Sequence, residues 1–216
     1  MRGSTLGKIV VGAAVLAVLA WVFVSSARSS LAEPYVIGSE TLRGWTLVTP
    51  MPGRSEIAWL ALQPPAQLTG ELFRQIFQRS MMSLTAPASP GIPLLLQAEY
   101  GPALRTILAP EDVLGAARRA GLERDRVEPV CVGVRRDAAG GRPRQLFFAV
   151  FEIPALARFR GEIARLVQER GGPAFDPDAL RPVLPIAASE GDVASWGAPD
   201  VGEPDCQAPL VDDTAA

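Results

Sequence analysis

Apolar positions divide the 216-residue chain into distinct stretches. The first is a run from Ile9 to Val24, IVVGAAVLAVLAWVFV, apolar on every face. Such a run predicts a helix with no polar side. With Leu6 and Gly7 it reaches about 19 residues, the lower edge of what spans a bilayer core. From Tyr35 to Ala187, short apolar runs alternate with amphipathic segments. From Ser189 onward the chain is rich in Asp, Gly, Pro and Ala and shows no period, so a tail without regular structure is expected there.

The middle stretch predicts a series of elements. Leu42 to Val48 reads as a strand, Met51 to Arg54 as a Pro-Gly turn, and Ile57 to Leu62 as a buried strand stopped by Pro64-Pro65. Leu68, Leu72, Phe73, Ile76 and Phe77 recur at helical spacing, which predicts a helix from Leu68 to Ser83. A loop follows from Thr85 to Pro93, then short strands at Leu94 to Gln97 and Thr106 to Leu108. Pro110, Glu111 and Asp112 open a helix to about Ala120, since proline and acids both suit a first turn. Val127 to Arg135 and Arg144 to Ile153 flank Asp137-Ala138-Ala139-Gly140-Gly141, a hairpin signal. A helix from Pro154 carries the stripe Leu156, Phe159, Ile163, Leu166 and Val167 and stops at Gly171-Gly172; Val183 to Ala187 is a last strand. This order predicts an α+β class with two small antiparallel sheets and flanking helices, preceded by one N-terminal apolar helix. The boundaries expected are a leader at 1–32, a domain at 33–195 and a polar tail at 196–216.

Arg2 and Lys8 lie ahead of the apolar run, which keeps the N-terminus in the cytoplasm and puts the rest outside. Two outcomes fit. One is an uncleaved signal anchor, giving a single-pass protein of the inner membrane with the membrane itself and a membrane protein as partners. The other is cleavage after Ser30-Leu31-Ala32 and release to the periplasm or beyond. Cys131 and Cys206 suit an oxidising compartment, where they can pair and tie the tail to the domain; alternatively Cys131 is a buried thiol within Val130-Cys131-Val132.

Charge and composition narrow the chemistry. The formal net charge is -2 and Lys8 is the only lysine. That balance gives no hint of the basic face that nucleic acid requires. There is no histidine. Its absence excludes a Ser-His-Asp triad, a zinc hydrolase built on imidazoles and any histidine-based phosphodiesterase. No cofactor or metal is expected.

Four features are candidate sites. Arg135, Arg136, Arg142 and Arg144 cluster at the hairpin tip, where they can meet an anion or an acidic partner, or simply stay solvated. Asp176 and Asp178, with Glu190 and Asp192 further on, match no calcium-loop spacing; Asp-Pro-Asp also suits a turn. Glu152, Asp176, Asp178 and Asp192 are the carboxylates available to a hydrolase that works without histidine. Trp45 and Trp59 read as core, and Trp196 as an aromatic either docked back from the polar tail or anchoring a partner, with docking favoured.

One resemblance rests on the second half: Phe147 to Pro154, the helix Leu156 to Arg170, Phe175-Asp176-Pro177-Asp178, then Pro182-Val183-Leu184-Pro185-Ile186-Ala187 and Gly191-Asp192-Val193, with an echo at Leu104-Arg105-Thr106-Ile107-Leu108. This order resembles the two-histidine phosphoesterases, the 2′-5′ RNA ligase-like proteins. The resemblance implies a bilobal α+β fold with a cleft between two sheets. It also places Leu104 and Val183 where that family has its histidines. Thr106 matches the first of its threonines and Pro185 replaces the second. The implied protein is a pseudoenzyme, so the expected function is non-catalytic, a partner-binding or accessory domain. A carboxylate hydrolase and a small-ligand or lipid-binding domain are the alternatives.

Overall fold

The computed structural model describes residues 13–22, 25, 32–49, 57–139, 142–191, 193–196 and 205–214. Its larger sheet has the strand order β1-β8-β5-β6-β7. These are β1 (Tyr35–Ile37), β5 (Glu128–Ala139), β6 (Arg142–Glu152), β7 (Val183–Ala188) and β8 (Cys206–Asp212). Every neighbouring pair is antiparallel except β1 and β8, which run parallel. The smaller sheet is the antiparallel set β2 (Thr46–Val48), β3 (Ala58–Gln63) and β4 (Ile92–Leu96). Helices α1 (Ala66–Ser80), α2 (Pro102–Arg105), α3 (Pro110–Ala120) and α4 (Pro154–Glu169) complete an α+β architecture.

One hydrophobic core runs through both sheets and the helices, joining Leu60 of β3, Leu94 of β4, Leu72 of α1, Phe147 of β6 and Phe159 of α4. The α1 stripe does what its period predicts: Leu68, Leu72 and Ile76 are buried. Helix α3 buries Val113, Ala116, Ala117 and Ala120, and those small side chains let α4 pack closely against it. Ion pairs across these helices join Arg119 to Glu162 at 3.2 Å and Arg170 to Asp112 at 2.6 Å. The hydrogen bond from Arg170, followed by one from the Ala109 backbone, holds the Asp112 carboxyl below its usual range.

The hairpin strands β5 and β6 pair from Glu128↔Glu152 to Ala139↔Arg142. Gly133 is required there: a Cβ at this position would stand 2.4 Å from the Phe148 ring on β6 and 2.6 Å from the Asp205 carbonyl. The hairpin's Gly140-Gly141 tip lies outside the described residues, as does the Met51–Arg54 turn.

Several expectations are corrected. Among the described residues no helix is long and apolar enough to cross a membrane. That finding overturns the signal anchor. Of the expected span, residues 13–22 are helical, with Leu16 and Trp21 exposed, and 9–12 and 23–24 lie outside the described residues. The cleavage site at Ser30-Leu31 also falls outside them. The tail is not without regular structure, because Cys206–Asp212 forms β8 between β1 and β5. Its strand period was hidden by Pro209 and by a polar, acidic setting; Ala208, Leu210 and Asp212 are its buried alternate positions. Thr106 to Leu108 is not a strand but a turn after α2, since Pro102 starts a helical turn and three apolar residues carry too little period to oppose it. Tyr100 fixes that turn by donating from its hydroxyl to the Leu108 carbonyl at 2.8 Å.

Cys131 and Cys206 form a disulfide that fastens β8 to β5, across a sequence separation of 75. Closing a loop of that length removes unfolded-chain entropy equivalent to about 4 kcal/mol.

Candidate functional site

Strand β6 ends at Glu152 and passes through Ile153 directly into α4. Pro154 occupies the first helical position, where its missing N–H is not needed. Helix α4 ends at Gly171, whose φ of +70° reverses the chain. The chain then returns along α4, and the return loop, residues 173–182, leads into β7.

Arg160 holds that loop. It lies on the buried face of α4 and is fully buried, among Leu156, Phe159 and Ile163. The five N–H groups of its guanidinium all meet acceptors. Nε donates to the Pro177 carbonyl at 2.8 Å, and Nη2 to the Asp176 carbonyl at 2.7 Å and Glu99 Oε1 at 2.6 Å. Nη1 donates to the Leu94 carbonyl at 3.3 Å and Glu99 Oε2 at 3.2 Å. The Phe175 ring packs 4.7 Å beneath the guanidinium carbon. Glu99 is set in turn by the Leu96 N–H, which donates to it at 2.8 Å. One buried cation therefore ties α4, β4 and the return loop together, with every polar group satisfied.

The loop so fixed forms one wall of an open groove of about 340 Å³. The other wall is the β6–α4 corner: Phe151, Glu152, Ile153, Pro154, Leu156 and Ala157 face Pro177, Asp178, Leu180 and Pro182. Phe151 N–H donates to the Pro182 carbonyl at 3.1 Å and joins the two walls. The lining is apolar apart from Glu152 and Asp178, which are exposed and have no ion pair or side-chain hydrogen bond among the described residues. The first turn of α4 brings about half a positive charge to this corner. Among the lining residues there are two carboxylates and no cation; the exposed Arg181 stands between the lining residues Leu180 and Pro182. Such a lining favours a cation over a phosphate or a carboxylate.

The other sequence candidates lie elsewhere. Asp176 is used locally, its Oδ1 accepting from the Asp178 N–H at 2.9 Å in a turn. Asp192 lies outside the described residues. Arg135 and Arg136 sit on the projecting end of β5 without ion-pair partners among the described residues. Arg144 pairs with Asp137 at 2.8 Å and covers the Trp196 ring at 4.3 Å. Arg142 belongs to β6 at the end of the hairpin. Of these arginines, Arg144 is neutralised by Asp137, while Arg135 and Arg136 stand along the ribbon. Trp196 is docked, packing with Leu146, Ala188 and Val193.

The four motif positions are not gathered either. Leu104 is buried in α2 within the main core, and Val183 is buried on β7 in a separate small cluster with Phe148. Thr106 is exposed and donates to the Ala103 carbonyl at 2.8 Å. Pro185 lies half-buried on β7. None of the four lines the groove. Among the described residues no cluster of three or more Asp, Glu or Cys side chains is placed to hold a metal ion. No family model, no curated protein and no solved structure matches this chain.

Sequence reasoning missed Arg160. The signal was present: Leu156, Arg160, Ile163 and Val167 share one helical stripe, and a cation on a core stripe must find buried acceptors.

Proposed function

We propose that this chain is an exported, non-catalytic domain that recognises a protein partner through the groove at the β6–α4 corner. The observation that carries the proposal is the groove itself. Its two carboxylates have no intramolecular task among the described residues, and its loop wall is fixed in advance by Arg160. A preformed wall lowers the ordering cost of binding. Export is supported by the Cys131–Cys206 disulfide, because such bonds persist mainly outside the cytoplasm. The leader read at 1–32 then serves as a cleaved signal, leaving a periplasmic or secreted domain. Turnover of 2′,3′-cyclic phosphodiesters is not expected, since Leu104 and Val183 carry no group that transfers a proton.

The test places a photoreactive residue at Leu180 in the full chain, expressed in the cells that make it. A discrete protein adduct that disappears in the Glu152→Gln/Asp178→Asn background supports the proposal. No groove adduct, or one indifferent to both substitutions, contradicts it.

A second reading shares the same observation. Glu152 and Asp178 border one groove, as a carboxylate hydrolase requires. It predicts hydrolytic turnover by the purified chain that each single carboxamide substitution abolishes. The binding reading predicts none.

A further inference from the structure

We infer that the occupant of the groove is an arginine side chain presented by a partner protein. This rests on the binding reading above and names the chemistry of its partner. The groove's volume of about 340 Å³ is at the small end for ligand sites. It suits one long side chain with a flanking residue better than a large cofactor. Its lining is mostly apolar, with Pro154, Ala157 and Leu180 offering surface to an aliphatic stem above the buried Ile153 and Leu156. Its charged residues are Glu152 and Asp178, one on each wall.

A side chain that is apolar along its stem and cationic at its end satisfies both. Arginine fits better than lysine. Its planar fork presents several donors to carboxylate oxygens, and it is less strongly hydrated, so it gives up water more readily over an apolar floor. Other charges nearby do not reverse this choice. Arg160 is already matched by Glu99, and Arg181, next along the loop, is not among the lining residues. The partial charge at the start of α4 is smaller than that of either carboxylate. An anionic occupant would face two like charges with nothing among the lining side chains to balance them.

The test titrates the 15N-labelled full chain with the peptide acetyl-Pro-Leu-Arg-Leu-amide and with versions carrying citrulline, lysine or glutamate in place of arginine. The arginine peptide is expected to shift the amide signals of Ile153, Leu156, Ala157 and Leu180 saturably. Citrulline, with the same shape and no charge, should weaken binding about tenfold. Lysine should fall between them, and glutamate should leave the groove signals unmoved. Glu152→Gln and Asp178→Asn should each weaken the arginine peptide about fivefold. Both side chains are exposed, so unchanged signals from the distant core confirm that the variants remain folded.

Equal binding of citrulline, binding of the glutamate peptide, shifts confined to the β5–β6 ribbon, or no saturable shift would each overturn the inference. The Leu180 adduct is scored without reference to arginine. An adduct without arginine preference removes this inference and leaves the binding reading; loss of the adduct removes both.

Discussion

The two ends of β6 carry the two candidate sites of the protein, and they are built in opposite ways. At the hairpin end, Arg135 and Arg136 stand on a ribbon that projects beyond its neighbours: β8 reaches β5 only through Gly133, and β7 reaches β6 only from Leu146 on. The pleat turns these neighbouring side chains to opposite faces, and among the described residues no buried group pairs with either. At the α4 end, one buried arginine with five bonds fixes a loop, and the two carboxylates lie across the groove that the loop completes. Along this strand, clustered arginines in the sequence therefore mark the less organised end. What distinguishes a prepared surface is a satisfied polar network beneath it.

The largest predicted effect tests that difference at its root. Arg160→Met should destabilise the fold by about 3–5 kcal/mol, because it leaves Glu99 and two loop carbonyls without their buried partner. Urea denaturation measures it, and Arg160→Lys should recover only part of the loss, since an ammonium cannot reproduce the fork. The double substitution Cys131→Ser/Cys206→Ser should cost about 2–4 kcal/mol in the same assay. Its hydrogen exchange should rise first in β8, while groove amides change little.

A smaller effect concerns pH. Burial pushes the Tyr100 hydroxyl above its usual range, and burial does the same to Tyr35. A raised folded pKa contributes stability that is complete below about pH 10 and is lost as pH rises through the folded value. The urea midpoint should therefore fall on the alkaline side. Tyr100→Phe should remove part of that fall and lose about 1 kcal/mol at neutral pH with the Leu108 bond. Tyr35 sustains the remainder. The smallest effect belongs to the ribbon: Arg135→Ser/Arg136→Ser should change stability by less than about 0.5 kcal/mol.

Much of the fold could be read from periodicity. Helices α1, α3 and α4 and the β5–β6 hairpin have long apolar patterns or strong turn signals, and they stand where those patterns predict. Failures came where the signal was short or masked. Three apolar residues at Thr106 to Leu108 cannot distinguish a strand from the turn that Pro102 imposes. In β8, proline and acidic residues conceal alternation that only pairing with β1 and β5 makes sense of. The site was legible in pieces. Glu152 and Asp178 were recognisable as free carboxylates, but they are 26 residues apart in sequence. Nothing local indicated that the return loop would bring them to one groove. Arg160 was the available clue, a cation on a core stripe.

The central claim is that the α4 end of β6, and not the hairpin end, is the recognition surface. The most direct measurement compares the yield of the Leu180 photo-adduct in two charge-reversed full chains. One carries Glu152→Lys/Asp178→Lys and the other Arg135→Glu/Arg136→Glu. The adduct should vanish in the first and persist undiminished in the second. Loss with the ribbon reversed and retention with the groove reversed would contradict the account.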